Sequence, residues 1–158
     1  MTKQILLDDE TEFSLWKAAR QTNKNAFRRV LVGHKDRAIA ESLSRLLSLR
    51  GYETLEATDL TRVRTYLRSW KPDAFLMDTR LDLRLNYQLA REIRTEATTA
   101  NMLMLAMSDI WPLDPIHAMR EAGFDGHCRR PRSLWRIIEI LESYSKASVS
   151  GAVRCTSR

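Results

Sequence analysis

Five short apolar runs, each followed by a stretch of helical periodicity, limit the possible folds of this chain more than any other feature. "RRVLVG" (28–33) precedes "DRAIAESLSRLLSLRGY", where Ile39, Leu43, Leu46 and Leu47 fall at helical spacing and Gly51 marks the stop. "ETLEAT" (53–58) precedes "DLTRVRTYLRSW" (59–70), a helix begun by Asp59 or Thr58 and ended by Pro72. "DAFLMD" (73–78) leads to a helix over Leu85 to Arg94, and "NMLMLAM" (101–107) to one over Pro115 to Ala122. "DGHC" (125–128) leads to the amphipathic "RSLWRIIEILESYSK" (132–146). Strand–helix alternation with connections this short requires parallel strands joined by right-handed crossovers. The unbroken apolar run from Ala74 to Met77 suits a strand buried on both faces of such a sheet. Asp78 then stands at that strand's carboxyl end, where open α/β sheets carry their chemistry.

The chain has 158 residues, enough for one domain and short extensions. Residues 28–146 form the domain. Residues 1–27 precede it, and within them "DDETEFSLWKAARQ" places acids first and bases last, with Phe13, Trp16 and Ala19 three apart. That pattern predicts a short N-terminal helix. Residues 147–158 read as a flexible basic tail.

No apolar run approaches the roughly 20 residues that span a bilayer, so no membrane segment is expected. The N-terminus turns acidic where a signal peptide would be apolar, and Cys128 and Cys155 read as reduced thiols, which points to the cytoplasm. The net charge of +6 is scattered along the chain, dense only in "CRRPR" (128–132), so a dedicated nucleic-acid site is not expected. Neither a dinucleotide fingerprint nor a P-loop is present, which argues against the nucleotide-binding forms of this architecture. His117 and His127 lack metal-ligand spacing.

The order of elements and several local motifs resemble the receiver domain of two-component response regulators, over about residues 28–144. The motifs are "RRVLV", "GYETLEATD", "KPDAFLMDTRL" and "AMREAGFDGHCRRP". The resemblance implies a flavodoxin-like, doubly wound five-stranded parallel sheet of (βα)5 type. It also implies a phosphoryl group passed from a histidine kinase to one aspartate, here Asp78. Such domains normally use an acid pair that holds Mg²⁺ with that aspartate, a lysine before a proline, and a hydroxyl residue that moves with an aromatic one.

Carried over position by position, most of that machinery is replaced. The acid pair becomes His34 and Lys35, with Asp36 the residual acid; the hydroxyl becomes Ala106, with Ser108 two residues on. The aromatic becomes His127, and the lysine–proline pair becomes Arg130 and Pro131. A proline and a glycine expected beyond the phosphoacceptor are Asp82 and Asn86. Mg²⁺ is kept by carboxylates, and an ammonium about 4 Å from a like charge costs roughly 4 kcal/mol at an effective dielectric of 20. With Lys35 in the pair, Mg²⁺ and any other cofactor or metal are not expected. Lys35 and Arg130 are instead expected to hold Asp78 ionised in a salt-bridged cluster.

The function expected is that of a stand-alone, atypical receiver: a pseudo-receiver that works by protein–protein contact and is no enzyme beyond, at most, self-phosphorylation at Asp78. Its partners would be a histidine kinase, a phosphotransfer protein or another regulator. A homodimer could form through the fourth helix, fifth strand and fifth helix, with Trp111 as an exposed anchor. The alternatives are a phosphorylatable single-domain regulator and a basic nucleic-acid-binding accessory protein.

Overall fold

The computed structural model describes residues 13–15, 28–82, 87–108, 116–129 and 137–142. In chain order the elements are β1 (Phe13–Leu15), β2 (Arg29–Gly33), α1 (Arg37–Leu49), β3 (Glu53–Ala57) and α2 (Leu60–Ser69). They continue with β4 (Ala74–Asp78), a 3₁₀ turn (Thr79–Leu81), α3 (Gln88–Thr95), β5 (Leu103–Ser108), α4 (Ile116–Ala122) and β6 (Gly126–Arg129). A last helix, α5, covers 137–142. The strands form one sheet in the order β1-β6-β5-β4-β2-β3. β2 to β6 are mutually parallel, the doubly wound arrangement that the strand–helix alternation requires.

Both faces of the sheet are covered, which explains the unbroken apolar strands. Val30, Val32, Leu76 and Leu105 face α1 and α5, meeting Leu43, Leu47, Ile137 and Leu141. Leu31, Phe75, Met77 and Met104 face α2, α3 and α4, meeting Val63, Leu67, Ile93 and Met119. Ala74 to Met77 of β4 are wholly buried, and each large side chain among them adds about 1.5–3 kcal/mol by leaving water. The alternating pleat sends successive residues into different layers.

The N-terminal segment departs from its expected helix. Phe13–Leu15 is a strand, paired antiparallel with β6, so the sheet gains a sixth strand of opposite sense. The sequence "FSL" fits a two-residue period as well as the three-residue one, and the unpaired edge of β6 supplies backbone partners that an isolated short helix lacks. The other residues of 1–27, and the tail over 147–158, lie outside the described residues.

The helix after β4 also starts later than expected, at Gln88. Tyr87 has φ +60°, a left-handed conformation that blocks helical continuity on its N-terminal side. The start is held by Asp82, whose Oδ2 accepts the Leu89 N–H at 2.7 Å. Asp36 and Asp59 cap α1 and α2 in the ordinary way.

Candidate functional site

Asp78 ends β4 with 2% of its surface exposed, between the carboxyl ends of β2 and β5. The chain turns sharply after it, and Asp78 Oδ1 accepts the Arg80 N–H at 3.0 Å, which starts the 3₁₀ turn. The same turn folds the Arg80 side chain back over the carboxylate. Arg80 Nε donates to both oxygens at 3.1 Å, and Nη2 donates to Oδ2 at 2.9 Å. From the β2–α1 connection, the Lys35 backbone N–H donates to Oδ2 at 3.0 Å.

Burial has the largest influence on Asp78 and pushes its pKa up. The Arg80 guanidinium, the Lys35 and Arg80 amides and nearby His34 together outweigh burial, and the carboxyl titrates below the usual aspartate range. A buried carboxylate accepting charge-assisted bonds on both oxygens stays ionised.

His34 lies beside it, 7% exposed, with Nδ1 3.5 Å from Asp78 Oδ2. That approach is not an ion pair near neutral pH. Nδ1 already accepts the Asp36 N–H at 2.9 Å, and the same nitrogen cannot also hold a proton towards Asp78. Burial lowers the His34 pKa more than the Asp78 charge raises it, and Arg80 lowers it further. The imidazole is neutral at pH 7.

Behind the site, Thr79 is fully buried and its hydroxyl donates to the Met107 carbonyl in a long 3.5 Å contact. Asp82 is 1% exposed, and among the described residues its Oδ1 has no hydrogen-bond partner. Burial raises its pKa most strongly, only partly offset by the Leu89 N–H and Arg64. Among the described residues, no group of three His, Cys, Asp or Glu side chains is placed to hold a metal ion.

No family model matches this chain. In sequence it is similar to Response regulator MprA of Mycobacterium avium, 29% identical over 115 residues, which make up 73% of this chain and 50% of that protein. The chain thus spans about half the length of the curated relatives it matches. A response regulator from Thermotoga maritima superposes with a TM-score of 0.66 at 20% sequence identity, covering 77% of this chain and 99% of that one. The chemotaxis response regulator CheY4 of Vibrio cholerae superposes with a TM-score of 0.66 at 16% identity, covering 75% and 99%. This is the receiver fold.

In this receiver fold, the structure brings some of the sequence-derived site residues together and sends others elsewhere. Asp78, His34 and Lys35 converge as expected, but Lys35 does so only through its backbone, and its side chain is exposed. The ammonium is therefore not the counter-ion of Asp78. Asp36 is turned away as well: its Oδ1 accepts the Ala38 N–H at 2.9 Å and caps α1. Ala106 and His127 are paired in register on β5 and β6, both fully buried. Ser108 ends β5. Arg130, Pro131, Asn86 and Trp111 lie outside the described residues.

The residue that sequence reasoning missed is Arg80. It stands in the quoted "DTRL", but nothing in the pattern shows that a 3₁₀ turn will fold it onto the residue two before it. Nothing in the sequence pattern sets Arg94 apart from the scattered basic residues either. Its side chain is 13% exposed; it donates to the carbonyls of Gly123, Ala100 and Met102 and pairs with Asp125 at 2.5 Å.

Proposed function

We propose that this chain is an atypical receiver, acting in two-component signalling by binding other proteins, with Asp78 kept as a charge-paired structural group. The observation that carries this reading is the Arg80 guanidinium, bonded to both oxygens of the aspartate. A hard cation at Asp78 would have to displace that guanidinium, and His34 and the exposed Lys35 supply no second carboxylate. Phosphoryl transfer depends on neutralising charge on the group in flight, so Mg²⁺-dependent self-phosphorylation is expected to be absent. Arg80 supplies part of that neutralisation permanently.

The partners fitting this reading are those of receivers: a histidine kinase, a phosphotransfer protein or another regulator. Nucleic acid fits less well. Arg29, Arg37, Arg50, Arg64, Arg80 and Arg94 are each paired with an acid, so much of the described basic charge is already neutralised within the chain. No described helix is long and apolar enough to cross a membrane.

Intact-mass spectrometry after incubation with acetyl phosphate and Mg²⁺ tests the proposal, beside an Asp78→Asn control. The expected result is no added phosphoryl group. A gain in the wild type that the control lacks would overturn it and establish the phosphorylatable regulator instead.

A further inference from the structure

The outer edge of β6 is closed by a strand from the opposite end of the chain. Phe13, Ser14 and Leu15 face Cys128, His127 and Gly126 in antiparallel register. A sheet edge offers a row of backbone donors and acceptors to any extended segment that reaches it. β1 shows what this edge takes: an antiparallel segment of three residues, apolar, small polar, apolar.

Its hold is local. In the sheet order β6, β5 and β4 lie between β1 and β2, a lateral distance of about 19 Å at the usual strand spacing. Residues 16–28 can extend to about 40 Å. The connection is long enough to let β1 leave without disturbing β2. On its inner edge β6 pairs with β5, through Ala106–His127 and Ser108–Arg129, and β5 in turn borders β4, which ends in Asp78.

We infer that the outer edge of β6 is a strand-docking site for a protein partner, filled in cis by Phe13–Leu15 and taken in trans by an extended partner segment of the same apolar–polar–apolar pattern. Pairing of this kind draws affinity from main-chain bonds and specificity from alternate side chains. It gives the protein-binding role proposed above a location, but it stands on the strand pairing alone and is independent of what Asp78 does.

The native Cys128 makes the test direct. It is the register partner of Phe13, antiparallel partners have Cα atoms about 4.5–5.5 Å apart, and that spacing suits a disulfide. Full-length Phe13→Cys, in a Cys155→Ser background, should form an intramolecular disulfide on oxidation and pin β1. Ser14→Pro and Leu15→Pro should free it. Successive N–H groups of a strand point to opposite sides, so one of the two removes a ladder donor.

The probe is a fluorescently labelled synthetic peptide of residues 10–18, followed by polarisation. It is expected to bind one proline variant and to bind the wild type about tenfold or more weakly, because the tethered strand competes at an effective concentration on the order of millimolar. It should not bind the oxidised Phe13→Cys protein until reductant is added. Equal binding to the oxidised and reduced forms would overturn the inference, as would failure of the disulfide to form within one chain. Because oxidised and reduced forms are the same polypeptide, that comparison holds even where a proline variant fails to fold. Phosphorylation of Asp78, or its absence, would leave all of these outcomes unchanged.

Discussion

At Asp78, the Arg80 side chain and the backbone amides of Lys35 and Arg80 hold the carboxylate; the expected Lys35 ammonium takes no part, and Arg130 lies outside the described residues. Replacing Arg80 with glutamine removes the guanidinium from a buried carboxylate. With Arg80 itself a third exposed, solvent screening limits the expected loss to about 1–2 kcal/mol at pH 7. The Asp78 pKa is depressed in the folded state, so its stabilisation is complete above the ordinary value near 3.8 and is lost as pH falls through the folded value. Urea unfolding of Arg80→Gln and wild type should therefore differ at pH 7, and the difference should shrink as pH falls below 3.8. Lys35→Ala should change stability by less than about 0.5 kcal/mol, because the alanine keeps the amide that meets Asp78. A larger loss would restore the ammonium as counter-ion. His34 has the same sign in a higher window: its folded pKa is lowered, so protonation favours unfolding and stability falls as pH drops below 6.5. His34→Gln should flatten the unfolding midpoint between about pH 5 and pH 7.

Among the elements, the turn before β6 is the most tightly specified. Gly123 has φ +108°, and a Cβ there would lie 2.4 Å from Arg94 Cγ. Arg94 cannot easily yield, since its guanidinium is held by three carbonyls and Asp125. Gly123→Ala should cost about 2–3 kcal/mol from strain plus displacement of that side chain. Gly51 provides the control: its φ is +92° but nothing lies within 4 Å, so Gly51→Ala should cost only the conformational strain of about 1–2 kcal/mol. Guanidinium denaturation of the two variants separates the contributions. The sequence marked Gly51 as a helix stop, and the structure bears that out for α1; Gly123 ends α4 in the same way. The contact with Arg94 was not legible, because it joins residues 29 apart and no local pattern records it.

Over the whole molecule, stability rests on two apolar layers that share one sheet. β4 lies at its centre, and Phe75, wholly buried, packs in the layer shared with α2, α3 and α4. Phe75→Ala should lose about 3–5 kcal/mol and lower the thermal midpoint accordingly. The edges differ from this centre. β3 is exposed at Glu53 and only partly buried from Thr54 to Glu56, and β6 needs β1 to cover its outer side. The alternation of strands and helices was legible throughout the core because both faces are covered and every central strand is apolar. At the β6 edge it was not, since three residues cannot show a period strongly enough to choose strand over helix.

The sequence by itself determined the layered parallel sheet and the position of Asp78 at a strand end. These follow from composition and spacing within single elements, where hydrophobic burial dominates. Only the tertiary structure decided which cation meets Asp78, where Asp36 points, that Arg94 is part of the frame, and that the N-terminal segment pairs as a strand. Each depends on bond directions only a few ångströms long, set by how a turn folds or how distant strands meet, and hydrophobic pattern carries no information about direction.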